Sequence, residues 1–237
     1  MYPGYYYGFG MDWTYILIII GMIISLLAQA KVKSTYARYS KVRADNGMTG
    51  AQAASMILNN AGIGNLPIMH ISGNLTDNYD PSSRVLNLSD STYASASVAA
   101  IGVAAHECGH AIQHKEGYSF LNMRSALYPA ANFTQKIAWP AIIIGLIFSQ
   151  GFGDLLITIG ILAFSVGVLF QLITLPVEFN ASHRAIRILR AQGNMSDKEI
   201  SQVKKVLTAA ALTYVAAAAS SILSLLRLIL ISRGRRK

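Results

Sequence analysis

The stretch LLITIGILAFSVGVLFQLITLPV, residues 155–177, contains no charged side chain. Three further apolar runs share this property, and they cover residues 13–30, 137–153 and 206–226. Each run reaches or approaches the roughly 20 residues that an α-helix needs to cross a bilayer. Only 13% of the 237 residues are charged, whereas soluble domains have about 25%. The sequence therefore predicts a mainly α-helical integral membrane protein with three to four transmembrane helices, folded as a single domain over residues 1–237.

The first apolar run, residues 13–30, is predicted to be a retained membrane anchor. A cleaved signal peptide is the alternative, but the residues before the run carry no positive charge, and no clean small-residue cleavage site follows it. The opening YPGYYYGFG, residues 2–10, is rich in tyrosine, which favours the headgroup level of a membrane. We therefore expect an anchored N-terminal part whose first residues lie at the membrane interface.

The net charge of +9 is concentrated beside the apolar runs. Two clusters account for half of the basic residues: Lys31, Lys33, Arg38, Lys41 and Arg43, and then Arg227, Arg233, Arg235, Arg236 and Lys237. This placement is typical of topology signals and of contacts with lipid headgroups, and it disfavours nucleic acid as a partner. By the positive-inside tendency, the first cluster predicts that residues 31–135 and 178–205 lie on the cytoplasmic side of the cell membrane.

The polar segments between the apolar runs carry shorter secondary-structure signals. Thr49 is a candidate N-cap and Gly62 a stop signal, so a short amphipathic helix is predicted between them. Two strand-like runs, residues 68–72 and 84–88, are joined by a polar turn region. Together these signals predict a short β element ahead of the next helix.

Three further boundaries follow from capping and breaking residues. Residues 89–92 supply N-cap candidates for a helix of small residues that ends near Gly117. The polar residues 149–154 separate the second and third apolar runs, which predicts a membrane hairpin. A charged helix is predicted to begin at Glu178, directly after the hairpin, and to stop at Gly193.

The motif with the most specific chemistry is VAAHECGHAI, residues 103–112. On a helix, residues four apart lie about 40° apart, so His106 and His110 project from one face toward one point. Glu107 lies within reach of a water held between them. This H-E-x-x-H spacing suits a hydrolytic zinc site, in which two neutral imidazoles hold the metal and the glutamate takes a proton from water. A chance match on a helix is the alternative, but Gly109 and the small, apolar flanks favour a buried metal helix.

The single cysteine of the chain, Cys108, lies inside this motif. On a helix it is rotated about 200° from His106, onto the opposite face. It is therefore predicted to be a packed core residue that does not bind the same ion. With one cysteine, an internal disulfide is excluded.

A hydrolytic zinc site needs a third protein ligand and an open position. The candidates are His70, His114, Glu116, Glu178 and His183. Glu178 is favoured because residues 136–177 contain two predicted spans, which return the chain to the side of the membrane where His106 and His110 lie. The alternative for Glu178 is a carboxylate at a helix start, where the helix dipole favours negative charge.

At these residues the chain resembles the bacterial membrane-bound neutral zinc metallopeptidases of the YugP type. The resemblance covers nearly the whole chain, and it is carried by HECGHAIQH at 106–114, LPVEFNASHRAI at 175–186 and AAALTYVAAA at 209–218. More distantly, the pattern is similar to the heat-shock and prenyl-protein membrane metalloproteases. The resemblance implies a gluzincin-like site in which His106, His110 and Glu178 bind Zn²⁺ and Glu107 is the general base.

One position departs from the distant relatives. They tend to carry an aspartate four residues after the glutamate ligand, where this chain has Ser182, with His183 beside it. His183 is a candidate for supporting a metal ligand or for polarising a substrate carbonyl, and an ordinary surface histidine is the alternative. Tyr214 is a candidate for stabilising an oxyanion, and its alternative is aromatic packing.

Substrate binding is predicted at the strand just ahead of the metal helix. Peptidases of the kind that this chain resembles usually hold the substrate as an added strand, because backbone hydrogen bonds fix an extended peptide. The run SRVLNLSD is the natural edge strand, with Val85 and Asn87 on one face and Leu86 and Leu88 on the other. The hypothesis is that Arg84 and these four residues line the cleft, and a purely structural strand is the alternative.

The last apolar run, residues 206–226, leaves two arrangements open. If it spans the membrane, the basic C-terminal residues end outside the cytoplasm, against the positive-inside tendency. Alternatively, residues 208–221 pack against the metal helices and the following segment lies in the interface.

The sequence as a whole predicts a zinc-dependent endopeptidase that cleaves peptides or membrane-protein substrates at the cytoplasmic membrane face. The alternative is a non-catalytic membrane adaptor or quality-control scaffold that keeps the metal helix for structure. A transporter is disfavoured because the charged candidate residues lie outside the apolar runs.

Overall fold

The described part of the chain, residues 12–148 and 151–235 of a computed structural model, forms six α-helices and one three-stranded sheet. The helices are α1 Tyr15–Tyr39, α2 Gly50–Asn60, α3 Val98–Lys115, α4 Ser119–Ile147, α5 Phe152–Gln192 and α6 Asp197–Arg235, and the strands are β1 Ile68–Ile71, β2 Asn78–Asp80 and β3 Val85–Ser89. The mainly α-helical class is therefore confirmed. The tyrosine-rich opening, residues 2–10, lies outside the described residues.

Four of the described helices, α1, α4, α5 and α6, are long and apolar enough to cross a membrane. Many of their apolar side chains point outward, including Leu27 of α1, Ile147 of α4 and Leu162 of α5, each of which is more than 60% exposed. Water would penalise so large an apolar surface, whereas lipid accommodates it. This pattern fits a multi-pass membrane protein.

Helices α1 and α6 pack antiparallel along their length. The hydroxyl of Ser220 donates to the carbonyl of Gly21 at 2.7 Å and lies 2.9 Å from the hydroxyl of Ser25. Closer to the C-terminal end of α6, the Arg227 guanidinium lies 4.1 Å from the centre of the Tyr15 ring. The last apolar run is thus part of one unbroken helix that is long enough to span.

The C-terminal end of α6 lies beside the end of α4 and the start of α5. Arg235 forms an ion pair with Asp154 at 3.2 Å and donates to the carbonyls of Leu146 and Phe148. The C-terminal end of α6 therefore lies at the opposite end of the helix bundle from residues 31–43, which follow the apolar part of α1.

Helices α4 and α5 form the predicted hairpin, but one predicted boundary is wrong. The charged helix does not begin at Glu178, because α5 runs without interruption to Gln192 and ends at Gly193, whose φ is +66°. Pro176 lies inside this helix. A proline removes only one backbone hydrogen bond, so packing against neighbouring helices can carry α5 through it. Glu178 is consequently an interior helix residue, and the alternative of a carboxylate at a helix start is excluded.

The N-cap of α2 was predicted correctly from sequence, whereas the N-cap of α3 was not. Thr49 caps α2, as predicted, and the structure adds a complete capping box through Gln52. The N-cap of α3 is Ser97, whose hydroxyl accepts from the N–H of Ala100 at 3.1 Å. The predicted cap at residues 89–92 is wrong, because the hydroxyls of Ser89 and Thr92 bind Asp77 instead.

The sheet has the order β1–β3–β2, and this order corrects the edge-strand prediction. β3 pairs with β1 in parallel and with β2 antiparallel, so both of its sides are occupied. Leu86 and Leu88 share one face, as the alternation predicted, and that face is buried in the core. Arg84 lies before the strand with a φ of +53°. The edge strands are β1 and β2, and β2 arises inside the region predicted to be a turn.

Candidate metal centre

Three predicted ligands converge in the structure. The Nε2 atoms of His106 and His110 lie 3.2 Å apart, and Oε2 of Glu178 lies 3.3 Å from the first and 3.5 Å from the second. A tetrahedral zinc ion with bonds of about 2.0–2.1 Å holds its ligand atoms about 3.3–3.4 Å apart. The spacing and the donor types therefore fit zinc without rearrangement.

A close contact between α3 and α5 brings the ligands together. A Cβ atom added at Gly109 would lie 2.7 Å from the carbonyl oxygen of Ala181. Real side chains do not tolerate such a distance, so only glycine allows this approach. Ala181 itself is fully buried. The contact places Glu178, one turn before Ala181 on α5, opposite the two histidines.

The orientation of His110 is set by a buried glutamine. The Nε2 group of Gln113 donates to the carbonyl of Val177 and to Oδ1 of Asn180, both at 2.9 Å. Its Oε1 is therefore the acceptor at the 3.0 Å contact with Nδ1 of His110. Because Nδ1 carries the proton, Nε2 of a neutral imidazole presents its lone pair to the metal position.

Ser182 supports the other histidine. Its hydroxyl lies 3.1 Å from Nδ1 of His106, at the position where distant relatives tend to carry an aspartate. His183 does not share this role, because it is exposed and its Nδ1 bonds to the carbonyl of Phe179 on its own helix. The hydroxyl of a serine thus replaces the carboxylate as the partner of His106.

Arg124 is a part of the site that the sequence reasoning missed. Its guanidinium lies 3.1 Å from Oε1 of Glu178, the oxygen that does not face the histidines. The Glu178 side chain is only 3% exposed, and a buried carboxylate needs such a partner. The available signal was a lone cation in the otherwise uncharged segment 118–135.

The carboxylate of Glu178 also acts on the neighbouring imidazole. Burial alone would lower the pKa of His110, but the hydrogen bond to Glu178 and the charge of that carboxylate outweigh burial and raise the pKa. Protons and a metal ion therefore compete for this imidazole.

The remaining ligand candidates lie elsewhere, each with its own partner. His70 pairs with Asp90 at 2.7 Å, Nδ1 of His114 lies 2.7 Å from the Tyr79 hydroxyl, and Glu116 pairs with Arg184 at 2.6 Å. Cys108 faces α2, with its sulfur 3.7 Å from the carbonyl of Ala54. Burial strongly raises the pKa of its thiol, so this side chain is the packing residue that helix geometry predicted.

Glu107 lies between two cavities. Its Oε2 accepts a hydrogen bond from the backbone N–H of Tyr79 at 3.0 Å. A cavity of about 460 Å³ lies between β2 and the start of α4, and a second of about 200 Å³ lies between α1, α3 and α6. Glu107 and Tyr214 line both cavities, and Tyr214 is close enough to Glu178 to interact with it. A substrate crossing from one cavity to the other would therefore pass the metal position.

Comparison with known proteins agrees with this geometry. No solved structure matches the chain. A curated protein of Bacillus subtilis (strain 168), described as "Putative membrane protease YugP", is 48% identical over 216 residues, which cover 91% of this chain and 94% of that protein. A family model described as "Putative neutral zinc metallopeptidase" matches residues 14–233. Since that match takes in nearly the whole chain, including both helices that carry the ligands, the chain belongs to this family of neutral zinc metallopeptidases.

Proposed function

We propose that the chain is a zinc-dependent membrane endopeptidase with a gluzincin-like site. The observation that carries the proposal is the convergence of His106, His110 and Glu178 at ligand spacing, with Glu107 beside them. Family membership supports peptide hydrolysis as the reaction, and a cavity with Glu107 in its lining lies on each side of the site.

In the proposed reaction Glu107 handles the protons. A zinc ion held by the two histidines and Glu178 would polarise a peptide carbonyl and acidify water. Glu107 takes a proton from the attacking water and returns it to the leaving amine. The N–H of Tyr79 orients the Glu107 carboxylate. Tyr214, which lines both cavities, is the residue to which we assign donation to the developing oxyanion.

The proposed substrate position is the outer edge of β2, which replaces the edge predicted at Arg84–Leu88. The N–H of Tyr79 points to Glu107 and not to β3. In an antiparallel strand the N–H and carbonyl of one residue face the same side, so both backbone groups of Tyr79 face the site. The N–H is taken by Glu107, so an extended peptide can pair with the carbonyl of Tyr79, with little demand on its sequence.

Proline at position 79 tests the contact between this edge and Glu107. Tyr79→Pro removes an N–H that β3 does not use, and edge strands tolerate proline where the N–H faces outward. We expect kcat/KM for peptide cleavage to fall about tenfold relative to Tyr79→Ala, which loses the same ring but keeps the N–H. Bound zinc should be equal in the two variants. Equal cleavage by the two would mean that the Tyr79 N–H is not needed to orient Glu107.

A cytoplasmic location is part of the proposal. The basic residues at the metal-site end include Lys31, Lys33, Arg38, Lys41 and Arg43 after α1, Arg184, Arg187 and Arg190 late in α5, and Lys198, Lys204 and Lys205 early in α6. By sequence, the C-terminal cluster adds five basic residues beyond the metal-site end, fewer than the eleven just listed, and one of the five, Arg235, pairs with Asp154. This asymmetry supports a metal-site end that faces the cytoplasm.

The experiment that tests the function is cleavage of casein by the full chain, purified in detergent. We expect peptide release that stops when a chelator removes zinc and returns when zinc is restored, because zinc supplies the electrophile. The rival is a scaffold that binds zinc for structure. A chain that carries stoichiometric zinc but releases no peptide from casein or from solubilised membrane proteins would favour that scaffold.

A further inference from the structure

Basic side chains line a groove between α1 and α6. We call it the basic groove; its charged and hydroxyl-bearing lining includes Lys31, Thr35 and Arg38 of α1 and Lys204, Lys205 and Thr208 of α6. Its volume is about 640 Å³, and every charged residue that lines it is a cation. The cavity beside His106 uses other positions of the same two helices, Val32 and Tyr36 among them. The basic groove is therefore a site separate from the metal centre.

The cations of the groove have no acidic partner within residues 12–148 and 151–235. Lys31, Arg38, Lys204 and Lys205 are all exposed, and none takes part in an ion pair in these ranges. Arg38 lies over the Tyr39 ring at 5.5 Å, a contact that leaves its N–H groups free to bind an anion. Four like charges around one cavity repel one another, and an anion between them would relieve that repulsion.

The groove lies where both helices leave their apolar segments. In α1 the uncharged run ends at Ala30, directly before Lys31, and in α6 the uncharged run begins at Val206, directly after Lys205. The groove lining extends from Lys31 to Tyr39 of α1 and from Ser201 to Leu212 of α6, so it covers the level at which the two antiparallel helices pass from apolar to charged sequence. That level is the headgroup region of a membrane that the helices cross.

We propose that the basic groove binds the phosphate headgroup of an anionic phospholipid such as phosphatidylglycerol. Lysine and arginine are strong partners of phosphate oxygens, and the two threonines add hydroxyl donors. Basic pockets between membrane helices are suited to anionic headgroups. Leu212 extends the lining toward the apolar side, so the acyl chains would continue along α6 into the bilayer.

The test uses the full chain purified in a neutral detergent, with lipid binding followed by native mass spectrometry. The groove variant carries Arg38→Gln, Lys204→Gln and Lys205→Gln. A matched control carries Lys33→Gln, Lys41→Gln and Lys198→Gln, three exposed cations that do not line the groove. Each protein is titrated with phosphatidylglycerol, with phosphatidylcholine and with inorganic phosphate, and its melting temperature is recorded.

We expect the wild type to bind phosphatidylglycerol at least about tenfold more tightly than phosphatidylcholine. The groove variant should lose about tenfold or more of that affinity, whereas the control should stay within about twofold. Equal losses in the two variants would overturn the site, because they would indicate a diffuse charge effect. Displacement of the lipid by equimolar inorganic phosphate would overturn the lipid as the occupant.

A charge-retaining variant distinguishes the loss of positive charge from a structural effect of substitution at these positions. Lys204→Arg with Lys205→Arg keeps both charges and should keep phosphatidylglycerol binding within about threefold. Its loss of binding at an unchanged melting temperature would overturn the assignment of the phosphate to these two positions.

Discussion

Glutamine in place of Glu107 is expected to lower casein cleavage by about 10²–10⁴-fold while the protein keeps its zinc. The reason is that an amide cannot take a proton from water, whereas the ligands are the other three side chains of the site. The fold should survive, because the glutamine oxygen can still accept the N–H of Tyr79, which lies 3.0 Å from Oε2 of Glu107. The measurement is peptide release at fixed protein concentration, together with zinc content.

Glu116→Gln is the matched control for this change. It removes a carboxylate from the end of the same helix, where the side chain is 52% exposed and pairs with Arg184. We expect full activity from it, within about twofold, because exposed ion pairs contribute little. If Glu107→Gln cleaved casein as fast as Glu116→Gln, Glu107 would not be the general base.

The parts of the site that sequence predicted are those that depend on local spacing. Two histidines four residues apart must share a helix face, whatever packs around them. Gly109 indicated a close backbone contact, and the contact is with Ala181 of α5. Glu178 followed from counting membrane crossings, since two apolar runs return the chain to the side it left. These inferences required only helix periodicity and the length of a bilayer.

The parts that sequence did not predict depend on tertiary hydrogen bonds. β2 has only three residues, and pairing with β3, not its composition, makes it a strand. Ser89 resembles an N-cap in sequence, but its hydroxyl binds Asp77. Arg124 and Gln113 look like ordinary helix residues until α5 packs against them. The partners of Arg124 and Gln113 lie more than 50 residues away in the chain. The partners of β2 and Ser89 are nearer, but a contact at that separation also leaves no periodic pattern in the sequence.

Replacement of Glu178 by glutamine is expected to weaken zinc binding by more than about a hundredfold, a loss larger than that of any hydrogen-bond partner of a ligand. The carboxylate supplies the only negative charge among the three ligand atoms, and a neutral amide binds zinc far more weakly. Glutamine keeps the size of the side chain, and Arg124, with 33% of its side chain exposed, can turn to solvent. A melting temperature of the metal-free protein within a few degrees of the wild type would establish that the fold persists.

A graded series separates ligand loss from indirect effects. Ser182→Ala removes the hydroxyl beside Nδ1 of His106 and should cost about 10–100-fold in zinc affinity, the usual effect of losing a partner of a ligand. His183→Gln and His70→Gln should leave zinc affinity within about twofold, because neither side chain joins the cluster. Equilibrium dialysis against buffered zinc, followed by metal analysis, ranks the four variants. A Glu178→Gln protein that bound zinc as tightly as His183→Gln would mean that the third ligand is another residue, and it would do so without depending on any measurement of activity.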